Sequence, residues 1–290
     1  MCSTNRTLPL LPARAANGVD MVGAWAVNRV YCADALTLLA GLPDNCIDLV
    51  VTSPPYDNLR TYNGYTFDFQ PIARETYRVM KPGGVVVWVV GDATINGSET
   101  LTSMRQALYF VDVCGFRMHD TMIYEALGTG AKGSNLSYWQ AFEYMFVLAK
   151  GDIYTTNLLY DRPNVTEGGV SKGRGTNKQG ISKPTYTLTQ KLGKRTNIWR
   201  YMPGFGSGDS TGHPAPFPEK LAVDHILTWS NAGDVVLDYF MGSGTTAKMA
   251  RNLGRRYIGC DISQEYVDIA NRRLAMPYTP LMFSDKELAG

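Results

Sequence analysis

Residues 235–261 leave this chain few ways to fold. Val235-Val236-Leu237-Asp238-Tyr239-Phe240 is an apolar, β-branched run of strand character, and Met241-Gly242-Ser243-Gly244 is a tight turn. Thr245 to Leu253 then has helical spacing, and Tyr257-Ile258-Gly259-Cys260-Asp261 reads as a second buried strand, closed by a helix over Gln264 to Leu274. A strand, a glycine turn, a helix and another strand in such short order belong to an α/β sheet whose strands run parallel under covering helices.

The rest of the chain supports that frame. Asn28 to Cys32 reads as a short strand and Ala35 to Leu42 as a short helix; Ile47 to Thr52 is a β-branched run of the kind buried on both faces of a parallel sheet. That run stops at Ser53-Pro54-Pro55, because proline has no ladder donor and biases its predecessor toward extended backbone. The spacing predicts a helix over Ile72 to Met80 ending at Lys81-Pro82-Gly83-Gly84, a strand over Val85 to Val90, a helix over Met104 to Cys114, and strands over Phe116 to Tyr124 and Glu143 to Leu148. Periodicity fades from Asp152 to about Thr211, a Gly-, Ser-, Thr-, Asn- and Lys-rich stretch too long for an ordinary connection, and returns with a helix over Pro218 to Ser230. The hydrophobic fraction of 44% suffices for one large α/β domain with an insertion. No apolar stretch reaches the roughly 18 residues of a membrane helix, and the N-terminus lacks the apolar core of a signal peptide, so a cytoplasmic protein without membrane contact is expected. Cys2, Cys32, Cys46, Cys114 and Cys260 show no CxxC spacing and His119, His213 and His225 are equally scattered, so no metal site is expected.

Two places carry chemistry. In the glycine turn, only the lack of a Cβ lets backbone approach a ligand, and the following helix offers free amide donors and a positive dipole end. Asp261, at the tip of the next strand, is placed for ribose hydroxyls. The turn lacks a full G-x-G-x-x-G because position 247 is Ala, and Asp238 before it would repel a pyrophosphate while suiting the cationic amino acid part of S-adenosylmethionine. The second place is Thr52-Ser53-Pro54-Pro55-Tyr56, where a buried strand leaves the sheet at the end that binds ligands in open α/β folds. The prolines stiffen the loop and leave carbonyls without neighbouring amide partners, Ser53 adds an acceptor, and Tyr56 can stack on a flat ring. Such a site can hold an exocyclic amino group with its hydrogens on two acceptors and its lone pair facing a methyl donor, a task of positioning that needs neither metal nor strong base.

Thr52-Ser53-Pro54-Pro55-Tyr56 resembles the catalytic motif of the DNA amino-methyltransferases, and Asp238-Tyr239-Phe240-Met241-Gly242-Ser243-Gly244 resembles their cofactor motif. His213-Pro214-Ala215-Pro216-Phe217-Pro218-Glu219-Lys220-Leu221 is similar to the family's other cofactor-side motif, and the catalytic motif precedes the cofactor motif, the order of the β group. The resemblance spans roughly residues 25 to 275. It implies a Rossmann-like, S-adenosylmethionine-dependent methyltransferase fold: a mostly parallel twisted sheet with circularly permuted motif order and a target-recognition insertion. The implied divisions are an N-terminal arm (1–22), a catalytic half (23–151), the insertion (152–211), a cofactor-binding half (212–278) and a tail (279–290). Ser53, Pro54, Pro55 and Tyr56 would hold the base. His213, Pro214, Phe217, Asp238, Phe240, Gly242, Ser243, Gly244 and Thr245 would line the cofactor, with Asp261 on its ribose and Asp34 near its adenine.

The net charge of +2 says little about partners, but its distribution says more. Between Ser171 and Arg200 lie Lys172, Arg174, Lys178, Lys183, Lys191, Lys194, Arg195 and Arg200 with no Asp or Glu, where β-group members carry their target recognition domain. By that resemblance these residues, with Arg60, contact double-stranded DNA, and the target base swings out of the stack to be reached. Arg60, Tyr62 and Tyr65 directly after the catalytic loop suggest a flap over that base. Ser at position 53 is usual for cytosine N4 and Asp for adenine N6, so cytosine N4 is the expected target and adenine N6 the alternative. Relatives acting on RNA or protein usually carry Asn-Pro-Pro-Tyr in the unpermuted order, and a non-catalytic nucleic-acid binder would not bind S-adenosylmethionine. A homodimer and a cognate restriction endonuclease are further partners common to such enzymes.

Overall fold

The computed structural model describes residues 20–55, 68–127, 138–176, 180–202 and 218–277. They fall into two compact units, one holding the chain up to 156 and from 197 onward, the other holding 157–196.

The first unit is built on an eight-stranded sheet. In chain order its elements are β1 (Arg29–Cys32), α1 (Ala35–Ala40), β2 (Ile47–Thr52), α2 (Phe69–Val79), β3 (Met80–Val90), α3 (Thr102–Asp112), β4 (Arg117–Ala126) and β5 (Phe142–Ala149). The second unit contributes β6 (Val170–Thr176) and β7 (Ser182–Leu188). The chain then returns to the first unit with β8 (Ile198–Tyr201), α4 (Glu219–Trp229), β9 (Val235–Asp238), α5 (Thr245–Asn252), β10 (Arg256–Asp261) and α6 (Gln264–Ala275). The spatial order is β8-β4-β5-β3-β2-β9-β10-β1, parallel throughout except for β5, which runs antiparallel to both neighbours. All six residues of β2 and all four of β9 are buried, which is why neither alternates in polarity. Leu38, Leu39, Ile47, Val50, Val86, Trp88, Leu237 and Ile258 pack in the core beside them. Each such side chain contributes roughly 1.5–3 kcal/mol relative to exposure. Helix α2 turns Ile72, Ala73, Thr76 and Val79 inward, one stripe at helical spacing.

Several boundaries differ from the sequence expectations. Lys81-Pro82-Gly83-Gly84 does not separate helix from strand. Met80 already pairs with Ile47, and the ladder absorbs the extra residues as an irregularity before Leu49 pairs with Val85. Gly83 (φ +79°) and Gly84 make this fit, since a Cβ on Gly84 would lie 2.8 Å from Met80 Cε and 2.9 Å from the Asp48 carbonyl oxygen. Met21 and Val22, expected in the N-terminal arm, pair with Ala26 and Trp25. The second unit, 157–196, lies inside the expected insertion of 152–211, and Ile198–Tyr201 pairs in parallel with β4 at the sheet edge. Finally, Tyr239 and Phe240 lie beyond the end of β9 rather than in it. Among the described residues no helix is long and apolar enough to cross a membrane.

Candidate active site

The strand order reverses between β2 and β9. On one side the chain steps outward from β2 to β3, on the other from β9 to β10. Ligands of open α/β sheets bind beyond the carboxyl ends of the strands at such a switch point. Both sequence motifs meet there: Ser53-Pro54-Pro55 leaves β2, and Tyr239 to Gly244 leaves β9. The two strand tips are joined directly. Thr52 Oγ1 donates to Asp238 Oδ1 at 2.7 Å, a bond between residues 186 positions apart and buried at both ends.

Asp238, expected beside the cationic amino acid part of the cofactor, stands at this junction of the two strand tips. It is 4% exposed, accepts from Thr52 and from the Phe240 amide at 3.0 Å, and has Thr246 as a third hydrogen-bonding neighbour. Burial pushes its carboxyl up to about 6 despite these bonds. The Thr246 hydroxyl also lies 3.2 Å from the Val51 carbonyl, a second tie from α5 to β2. Ser53 is half-buried, Pro54 buried and Pro55 half-buried. Phe240 is half-buried against Trp88 and Tyr239, with ring centroids 6.4 and 5.1 Å away.

Asp261 is held where β10 ends. Its Oδ2 accepts from the Gly242 amide and its Oδ1 from the Ser263 amide, both at 2.9 Å, so this carboxylate shapes the glycine turn. Burial raises its pKa, and the backbone amides of Ser263, Gly242 and Ile262 pull the other way. Asp34, exposed at the tip of β1, caps α1 by accepting from Leu36 and Thr37, while the neighbouring Ala33 amide donates to the Asp261 carbonyl. A carboxylate offers about four lone-pair sites, so Asp34 and Asp261 both keep acceptor capacity beyond these backbone bonds. Gly244 sits at φ +81°, and a Cβ there would lie 2.6 Å from that of Ala270, so the turn lies flat on α6 only as glycine. Strand tips rich in acceptors beside a turn with glycines at 242 and 244 suit a ligand with ribose hydroxyls, an amino group and net positive charge. S-adenosylmethionine has all three.

Several organising residues carried no signal in the sequence. Arg273, from α6 and 4% exposed, donates from Nη1 to the Ser243 carbonyl at 2.6 Å and to the Ser243 and Thr245 hydroxyls, both at 3.1 Å. Its Nη2 donates to Glu219 Oε1 at 2.7 Å, and Lys248 Nζ reaches the same oxygen at 2.7 Å. Glu219, Lys248 and Arg273 thus clamp the turn between α4, α5 and α6. No spacing rule connects these residues; Glu219 alone stands inside a recognised motif.

Tyr56, Arg60, Tyr62, Tyr65, Lys178, His213, Pro214 and Phe217 lie outside the described residues. Lys172, Arg174, Lys183, Lys191, Lys194 and Arg195 all lie in the second unit. Arg195 is not a freely presented cation: its guanidinium pairs with both Asp161 oxygens, with contacts at 2.9 and 3.0 Å. Arg200 belongs to β8 and pairs with Glu125 at 2.8 Å.

A family model described as DNA methylase, of the N6 and N4 methyltransferases, matches residues 47–272. The orphan methyltransferase M.BamHII of Bacillus amyloliquefaciens is 54% identical over 239 residues, covering 80% of this chain and 89% of that protein. The type II methyltransferase M.HpaI of Haemophilus parainfluenzae is 30% identical over 261 residues, covering 85% and 74%. Among solved structures, the PvuII cytosine-N4-specific DNA methyltransferase superposes with a TM-score of 0.65 at 20% identity, covering 89% of each chain. A putative DNA modification methylase of Thermus thermophilus, complexed with S-adenosyl-L-methionine, superposes with a TM-score of 0.59 at 25% identity, covering 90% of this chain and 95% of that one.

Proposed function

This chain belongs to the N6/N4 DNA methylase family, and from that premise we propose that it methylates the N4 amino group of a cytosine swung out of duplex DNA. The observation that carries the site assignment is the 2.7 Å bond between Thr52 and Asp238, which locks the loop proposed to hold the base to the turn proposed to hold the cofactor. The cofactor, S-adenosylmethionine, would supply an electrophilic methyl on its sulfonium sulfur and leave as the neutral thioether S-adenosylhomocysteine, while the amine gives up one hydrogen as a proton to water.

The chain's own residues do the positioning. Ser53 and the Pro54 carbonyl accept the two amino hydrogens, and Tyr56 stacks on the ring. The amine is conjugated and poorly nucleophilic, so fixing both hydrogens out of the ring plane turns its lone pair toward the methyl. Asp261 and Asp34 take the ribose and adenine donors, and Phe240 with Gly242 to Thr245 forms the floor. Asp238 acts through Thr52 and Phe240 by holding the two loops in register. The same constellation would serve adenine N6; Ser53, through the family resemblance, is what favours cytosine.

Methylation of defined duplexes, digestion to nucleosides and mass spectrometry test this. N4-methylcytosine is the expected product. N6-methyladenine would move the target base, and absence of both would sink the assignment.

A further inference from the structure

The second unit is one antiparallel excursion. It closes at the Arg195 amide on the Leu159 carbonyl, continues through Arg162 opposite Gly193 and Pro163 opposite Leu192, and ends in the β6–β7 ribbon from Val170 opposite Leu188 to Thr176 opposite Ser182. Strand side chains alternate between faces, so this register sorts the ribbon into two unlike sides. One side carries Lys172 opposite Tyr186 and Arg174 opposite Pro184. The other carries Gly173 opposite Thr185, Ser171 opposite Thr187, and Lys183 as its sole cation opposite Gly175.

Every residue of β7 is exposed, and Tyr186 is 65% exposed beside its cationic neighbours. An exposed two-stranded ribbon is at best marginal in water, and this one has no acidic residue between Ser171 and Arg200. Among the described residues no carboxylate pairs with Lys172 or Arg174, whereas Arg195 and Arg200 are both engaged. The chemistry of this face therefore complements a polyanion with flat rings. Pro184, the lysines and the glycines discourage the alternative, addition of another chain's strand to the ribbon edge. Two strands about 4.8 Å apart fit the roughly 12 Å major groove of B-DNA, whose guanine edge offers paired acceptors to Arg or Lys.

Resting on the DNA methylase reading, we propose that the β6–β7 ribbon enters the major groove of the substrate duplex with its Lys172–Arg174–Tyr186 face toward the base edges. Arg174 and Lys172 are then the residues that set sequence preference, with guanine as the base they read. Lys183, on the opposite face, contributes charge without specificity, and Arg195 braces the base of the excursion.

The full chain is incubated with a randomised duplex library, and the bound and the methylated molecules are sequenced separately. For the wild type a preferred site containing guanine is expected. Arg174→Ala should lose roughly 10- to 100-fold of the preference at one guanine position, and Lys172→Ala should relax another or the same one. Lys183→Ala should keep the site and weaken binding evenly. Unchanged preference at every position in both Arg174→Ala and Lys172→Ala overturns the ribbon's role. A wild type that binds its site through Arg174 but methylates nothing leaves the ribbon standing and overturns the proposed activity; one that neither binds nor methylates overturns both.

Discussion

At the scale of single residues, Asp238 carries a cost that its neighbours only partly offset. Its carboxyl, pushed up to about 6 from 3.8 chiefly by burial, takes up a proton on folding between those two values. The penalty for holding it charged is absent below the lower value and complete above the upper, so this group lowers stability as pH rises through that window, by on the order of 3 kcal/mol. Asp238→Asn should therefore melt above the wild type at pH 8, with the gap narrowing toward pH 5; a gap that ignores pH would refute an ionising Asp238. Asp261 differs, because its oxygens organise the Gly242 amide and face the proposed ribose site. Asp261→Ala should raise the S-adenosylmethionine Kd roughly tenfold, equivalent to about 1.4 kcal/mol, with duplex affinity measured in the same calorimeter nearly unchanged. Tyr56→Ala should do the reverse, weakening duplex binding and sparing the cofactor. Equal losses for both ligands in either variant would count against two separate subsites.

At the scale of elements, the clamp of Arg273 on the glycine turn joins helices distant in the chain. Removing Arg273 leaves Glu219 paired with Lys248 but deletes the arginine's charge-assisted bonds to Ser243 and Thr245, each contributing roughly 1.5–3 kcal/mol, and these bonds run directly into the cofactor turn. Arg273→Ala should lower Tm and weaken cofactor binding together, while Arg273→Lys, which can keep the Glu219 pair, should recover more of the Tm than of the affinity. Identical recovery of both would make the clamp merely structural. The strands and helices themselves were legible because β2 and β9 are unbroken β-branched runs and the glycine turn punctuates them. The clamp was not, because residues 28 to 54 positions apart share no periodicity. Lys81-Pro82-Gly83-Gly84 misleads for a related reason: local breaker chemistry cannot reveal that the Ile47 edge is waiting to pair with Met80. Ile198–Tyr201 was likewise hidden inside a polar stretch, its place fixed by β4 and not by its own pattern.

At the scale of the molecule, charge and chemistry are segregated: the acceptor-rich strand tips belong to one unit and the exposed basic ribbon to the other. Phosphate contacts of the second unit should appear in the salt dependence of DNA binding, each adding about 1 to the slope. Arg195 is paired to Asp161, so Arg195→Ala should flatten the slope less than Lys183→Ala. Titrations between about 50 and 200 mM salt check this, and the opposite ranking would place the phosphate contacts at the base of the excursion. The position of β9 has a further consequence. Val236 and Leu237 fill the middle of the sheet beside Leu49 and Val50, yet they leave the ribosome long after them. At about 5–20 residues per second, the apolar edge of β2 waits roughly 10–40 seconds for its neighbour. Until then the nascent chain shows a bare hydrophobic strand to its surroundings, so the burden of keeping this protein from aggregating falls on the period of its synthesis.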